Sequence, residues 1–270
     1  MADPLLWWYP QGSTWAFSGP RRQPVVGAPT ATSVVRALPP HRERWLPIVA
    51  VIAVLALLKV ATSLLGITGA VVGVAATLGI VAVTTRKGRA TWHDLGLSGR
   101  TLRRGVLWSL GFFALFGSGF AVTALLAKVV PAIAAWVQSL QVATPDWDTL
   151  AVQALVTIPL GTVLIEEVAF RGALPALLGR AGASTRWAIV VSAMLFGLWH
   201  VAPSLAAATG QGAPAASVVL AVLGTVVFTT ASGIGLGWLR HRSRSLLPPM
   251  VVHLATNSLG LGLLWFVTLG

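Results

Sequence analysis

Residues 149–178 read TLAVQALVTIPLGTVLIEEVAFRGALPALL, and the only charged residues among them are Glu166, Glu167 and Arg171. A hydrocarbon core of ~30 Å needs about 20 apolar residues of helix at ~1.5 Å per residue. The stretch is therefore long enough to cross a membrane, and Pro175 predicts a kink or an early end. A carboxylate at membrane depth costs on the order of a few kcal/mol. Two adjacent ones are worse, because like charges do not both ionise readily in a low dielectric. Such a pair is expected to line a polar cavity and to have partners.

Working outward, further apolar runs cover 45–66, 69–85, 105–127, 187–203, 215–238 and 246–268, which makes seven candidate spans. Residues 129–147 (VVPAIAAWVQSLQVATPDW) are apolar but interrupted, and read as an interfacial helix or a short extra pass. Composition agrees: 56% of residues are hydrophobic and 10% charged, with mean hydropathy +0.81. Soluble domains carry about 25% charged residues. The expected fold is an all-α polytopic transmembrane bundle of about seven or eight spans, without internal repeats. Residues 1–44, rich in Pro, Gly, Ser, Thr, Arg and Trp, read as a disordered cytoplasmic arm. Trp7, Trp8 and Trp15 give that arm a means of touching the membrane surface. Residues 45–270 form the membrane domain, with a motif core at 149–260. No h-region of a cleaved signal peptide precedes it.

The net charge of +12 does not mark a nucleic-acid binder. The basic residues sit in short clusters between apolar runs, as the positive-inside rule expects of cytoplasmic loops. Arg21, Arg22, Arg36, Arg42 and Arg44 lie in the arm. Arg86, Lys87, Arg89, Arg100, Arg103 and Arg104 follow the second span, Arg180 and Arg186 the fourth, and Arg240, Arg242 and Arg244 the sixth. The alternate loops hold Lys128 beside Asp146 and Asp148. This pattern fits a cytoplasmic N-terminus, and a plasma (inner) membrane is the expected location. Cysteine is absent, which excludes disulfides, thiol catalysis and cysteine-ligated metal.

Five of the seven acidic residues lie in the arm or loops, leaving Glu166 and Glu167 inside a span. Arg171 follows Glu167 by four residues, so the two share a helix face and can pair. Glu166 points roughly 100° away and is free for chemistry. His200 ends MLFGLWH in the fifth span. His253 lies in VVHLATNSLG of the seventh, with Asn257 four residues on. Counted from the basic ends of their spans, His200 lies ~20 Å deep, Glu166 ~18 Å, His253 ~10 Å, and Asn257 ~6 Å deeper still. These groups can meet in one cavity open to the cytoplasmic side. A structural ion cluster is the simpler alternative.

EEVAFR fits Glu-Glu-x-x-x-Arg, FGLWH fits Phe-x-x-x-His through Phe196 and His200, and HLATN fits His-x-x-x-Asn through His253 and Asn257. In this order on successive apolar helices they resemble the CPBP family, which includes CAAX prenyl endopeptidases and bacteriocin-processing or immunity proteins. LGL at 95–97 resembles that family too, and the likeness spans roughly residues 90 to 270. The resemblance implies eight helices and an intramembrane endopeptidase, with a membrane-associated or lipidated peptide or protein as substrate and membrane lipid as surroundings. Water activated by Glu166 and His200 is the expected nucleophile, with His253 and Asn257 donating to the oxyanion. Glu167, Arg171 and Phe196 are expected to support them. A metal version stays open: Glu166, His200 and His253 are a common ligand set for Zn2+, with Glu167 as base, although the local His-Glu-x-x-His pattern is missing. A non-catalytic membrane scaffold or immunity protein of the same fold is the rival reading. A proton-relay transporter is a weaker one, since no inverted halves are evident.

Overall fold

The computed structural model describes residues 41–65, 70–86, 89–139 and 146–269. The arm, apart from the first turn of the first helix, lies outside them. Every described element is helical: α1 (His41–Leu65), α2 (Ala70–Thr85), α3 (Trp92–Leu95), α4 (Gly99–Val129), α5 (Pro131–Gln138), α6 (Trp147–Arg180), α7 (Thr185–Gly210), α8 (Ala215–Ser243) and α9 (Leu247–Thr268). The fold is a polytopic transmembrane helix bundle. Among the described residues five stretches are long and apolar enough to cross a membrane: Trp92–Val129 and α6 to α9. Helix α2 is apolar but shorter, and α1 runs 25 residues. The expected count of seven or eight spans thus stands at five by length and composition. The 129–147 stretch contributes α5, whose eight residues rise about 12 Å, too little for a pass. Residues 140–145 lie outside the described set.

Water-side logic is inverted on the outer surface. Leu107, Leu220 and Phe228 are at least 70% exposed, an apolar exterior that only a hydrocarbon surround tolerates. Inside, α6 is the central strut: Ile165, Val168, Ala169, Phe170, Ala173 and Leu174 are all buried in the core cluster. Helix α2 packs on α6, α7 on α8, and α9 on α4. The α7–α8 contact is made by small residues, as expected where lipid removes the hydrophobic drive and close backbone approach supplies the attraction. Gly233 faces Ala193, and Gly197 lies so near α8 that a Cβ there would stand 2.9 Å from the Val226 carbonyl oxygen.

Regularity breaks near the polar residues. Helix α6 opens into i→i+5 turns over Gln153–Val163, around Pro159, and again over Val168–Ala173. The α-helical turn Leu164–Glu167 between them carries the acid pair. Pro175, where a kink was expected, lies inside α6 directly after the second of these wide turns, and the helix continues past it to Arg180. Helix α9 has a similar wide turn at Ala255–Leu259, and α7 is interrupted at His200.

Candidate active site

Three of these irregular helices bring their polar residues together. Glu167 is fully buried, Arg171 is 2% exposed, Glu166 5% and His253 8%. Arg171 Nη1 lies 2.9 Å from Glu167 Oε1. The same oxygen accepts a 2.8 Å hydrogen bond from His253 Nδ1. Glu167 therefore ties α6 to α9. The Arg171 guanidinium also stacks 3.9 Å from the Phe196 ring centre, a contact strengthened by desolvation. Phe196 is surrounded by the His200 ring at 4.6 Å, Phe170 at 5.2 Å and His253 at 6.1 Å. It fills the space between the two histidines.

Glu166 faces the other way. Its Oε1 accepts a 2.8 Å bond from the Trp199 indole N–H, while Oε2, 3.7 Å from His253 Nε2, finds no hydrogen-bond partner among the described residues. A buried carboxylate oxygen left in this way carries an unmet cost, and it faces space that a reacting molecule can enter.

Hydrogen bonding fixes the tautomers. His200 Nδ1 lies 2.8 Å from the Phe196 carbonyl oxygen. A carbonyl only accepts, so Nδ1 bears a hydrogen, and in the neutral ring Nε2 keeps its lone pair. His253 Nδ1 likewise donates to Glu167, a carboxylate paired with Arg171. Each neutral histidine thus presents an accepting Nε2, which bears on the expectation that His253 donates to an oxyanion.

One participant was not foreseen. Lys59 of α1 places its Nζ 4.1 Å from the centre of the Trp199 ring, whose N–H bonds Glu166. Lys59 and Arg171 together balance the two glutamates when both histidines are neutral. The sequence signal was present, a lone lysine within the first apolar run, but its partner is a tertiary contact.

Two cavities meet here. One of ≈ 760 Å³, mostly apolar, is walled by Phe112, Phe116, Phe228 and Trp238 and reached by Glu166, His200, His253 and Asn257. The other, ≈ 350 Å³, contains Lys59 and Trp199. Thr162, Glu166 and His200 border both. All four expected catalytic side chains therefore share one chamber. Residues 147–259 match the family of Rce1-like type II CAAX prenyl endopeptidases. The Rce1-like segment includes all three motifs, from the start of α6 to the wide turn of α9. It excludes α1 and with it Lys59. The resemblance read from the motifs is borne out over that segment, and the family is one of proteases. No curated protein and no solved structure matches the chain.

The ligand set expected for zinc, Glu166, His200 and His253, has the right donor chemistry, with each Nδ1 held by an acceptor and each Nε2 open. It is not gathered as a ligand set: among the described residues no three His, Asp or Glu side chains come together as a group able to hold a metal ion. As placed, these residues do not fit a metal.

Proposed function

We propose that this protein is an intramembrane endopeptidase that hydrolyses a peptide bond in a membrane-associated or lipidated substrate, with Glu166 as the base. The observation that carries the reading is Glu166 Oε2, buried and without a hydrogen-bond partner among the described residues at the junction of two cavities. The larger cavity, apolar and mid-membrane, suits a lipid chain or an apolar segment. The match to a prenyl endopeptidase family supports that class of substrate.

In the proposed reaction, a water molecule held between Glu166 Oε2 and the accepting Nε2 of His200 attacks the scissile carbonyl carbon. As its oxygen bonds to carbon, one proton passes to Glu166 and the carbonyl electron pair moves onto oxygen. The Asn257 side-chain amide, a neutral N–H donor facing the chamber, receives that oxyanion. The C–N bond then breaks, the electron pair returns to the carbonyl, and Glu166 delivers its proton to the departing nitrogen, leaving a carboxylic acid and an amine. His253, clamped by Glu167, borders Glu166 and serves as the alternate seat for that proton. Once protonated it can also donate to the oxyanion, so the role expected from the motif survives in the charged state alone.

Reconstituted protein offered prenylated and unprenylated peptides tests this directly. Glu166→Gln keeps the bond from Trp199, because the amide oxygen still accepts, but loses the base. The expected outcome is a folded protein with cleavage reduced by at least about 10²-fold. Wild-type-like cleavage by that variant ends the assignment. The arginine-rich loops further support a cytoplasmic N-terminus, with the chamber served from the cytoplasmic side.

A further inference from the structure

Away from the chamber, α3, α6, α7 and α8 enclose a third cavity of ≈ 430 Å³ at the basic end of the bundle. Arg180, Arg240 and Arg244 stand around it with His93 and His241, and Arg171 forms part of its inner wall. Asp94 is the one acid among the lining residues, and it is already engaged. Its Oδ2 accepts bonds from Arg180 Nη2 at 2.7 Å and from the Thr91 N–H at 2.8 Å. Arg240 spends Nη2 on the Asp94 main-chain oxygen at 2.7 Å. Its Nε is shielded from water and has no hydrogen-bond partner among the described residues. Arg171, 2% exposed, has an Nη2 in the same condition.

The positive-inside rule accounts for solvated arginines such as Arg100, Arg103 and Arg186. It does not account for Arg180, Arg240, Arg244, His93 and His241 standing around one hollow whose single acid is already engaged. Such a ring has an excess of positive charge, and guanidinium forks match the oxygens of a phosphate. The remaining walls, Phe170, Pro175, Ala188 and Ile189 among them, are apolar and suit the glycerol and first methylenes of a lipid. We propose that this cavity binds the phosphate group of an anionic phospholipid of the adjoining leaflet. Arg171 connects it to the chamber, since the residue that forms part of the cavity's inner wall is also paired with Glu167. The binding claim stands independently of the hydrolytic reading.

The test uses the full chain in nanodiscs of phosphatidylcholine with increasing phosphatidylglycerol, following the thermal midpoint, with a separate arm of inorganic phosphate in pure phosphatidylcholine. Arg240→Gln and Arg244→Gln remove cavity cations. Arg100→Gln and Arg103→Gln remove the same charge at the same end outside it. Because Arg240 also braces Asp94, the quantity compared is the lipid-dependent shift of each variant, not its starting midpoint. The expected result is a midpoint that rises with phosphatidylglycerol. Each cavity variant should need about fivefold more lipid for half the shift, as ~1 kcal/mol per arginine implies, while the controls track wild type. An equal, Arg244-dependent shift with inorganic phosphate alone supports the phosphate chemistry and overturns the lipid as its source. No shift in wild type, or equal losses in cavity and control variants, overturns the site.

Discussion

Glu167 is the residue whose removal separates support from chemistry. It accepts from His253 and faces Arg171, and neither the glutamate nor the arginine has water to turn to. Breaking one partner out of a buried pair costs about 3–5 kcal/mol, because the other charge stays behind unpaired. Glu167→Gln is therefore expected to lower the thermal midpoint sharply as well as cleavage, whereas Glu166→Gln lowers cleavage alone; parallel unfolding and activity measurements check the contrast. Lys59 makes a subtler case. Its ammonium over Trp199 is worth about 0.5–2 kcal/mol by comparison with other cation–π contacts. Lys59→Met should accordingly reduce kcat/KM by up to about thirtyfold, with Lys59→Arg recovering most of the loss. No change in kcat/KM would remove Lys59 from the site. The polar motif residues were legible in the sequence because each stands in an apolar run, conspicuous by its cost. Lys59 met the same criterion, but nothing local linked it to a site more than a hundred residues downstream. The tautomers were illegible too, since they follow from where Nδ1 of each histidine lies in space.

At the scale of elements, the helices were readable and their defects were not. Apolar length placed α1, α2, α4 and α6 to α9 within a few residues of their observed bounds, apart from the extension of α7 to Gly210. Pro175 drew attention as a helix breaker, yet α6 continues past it to Arg180, with wide turns around Pro159 and over Val168–Ala173, just ahead of Pro175. Wide turns recur at functional sites because they re-aim side chains without ending the helix; here they bracket the acid pair and carry Asn257. No residue pattern encodes them, because they depend on which neighbour absorbs the freed carbonyls. Helix α7 is positioned by contact instead. Gly197 lies against α8 three residues before His200, and a methyl there meets the Val226 carbonyl oxygen at 2.9 Å. Gly197→Ala should cost about 1–3 kcal/mol as overpacking and should lower cleavage by displacing His200 from the chamber. A variant as stable and active as wild type would show that α7 tolerates the shift.

For the whole molecule, charge and shape have to agree on which end faces the cytoplasm. The cavity of arginines, the α3 turn and the α8–α9 junction are joined at one end: Arg240 bonds the Asp94 carbonyl, and the Leu246 N–H bonds the Gly96 carbonyl. Trp187 and Trp238 are exposed near that same end, at the level where indoles favour a membrane interface. The opposite end carries Asp146, Asp148 and the turn at Gln211, with Lys128 as its basic residue. An orientation set by lysine and arginine excess is expected to put Arg186 and Arg244 in the cytoplasm and Gln211 and Asp148 outside it. The chain has no cysteine, so a single introduced thiol reports its own side without background. Arg186→Cys and Gln211→Cys, both at exposed positions, are expected to react with an impermeant maleimide from opposite faces of sealed vesicles, the first only from the cytoplasmic face. Labelling of both from one face would contradict the bundle itself, since α7 separates them. A reversed pair would leave the fold intact and turn the basic cavity, and the route into the chamber, toward the other side of the membrane.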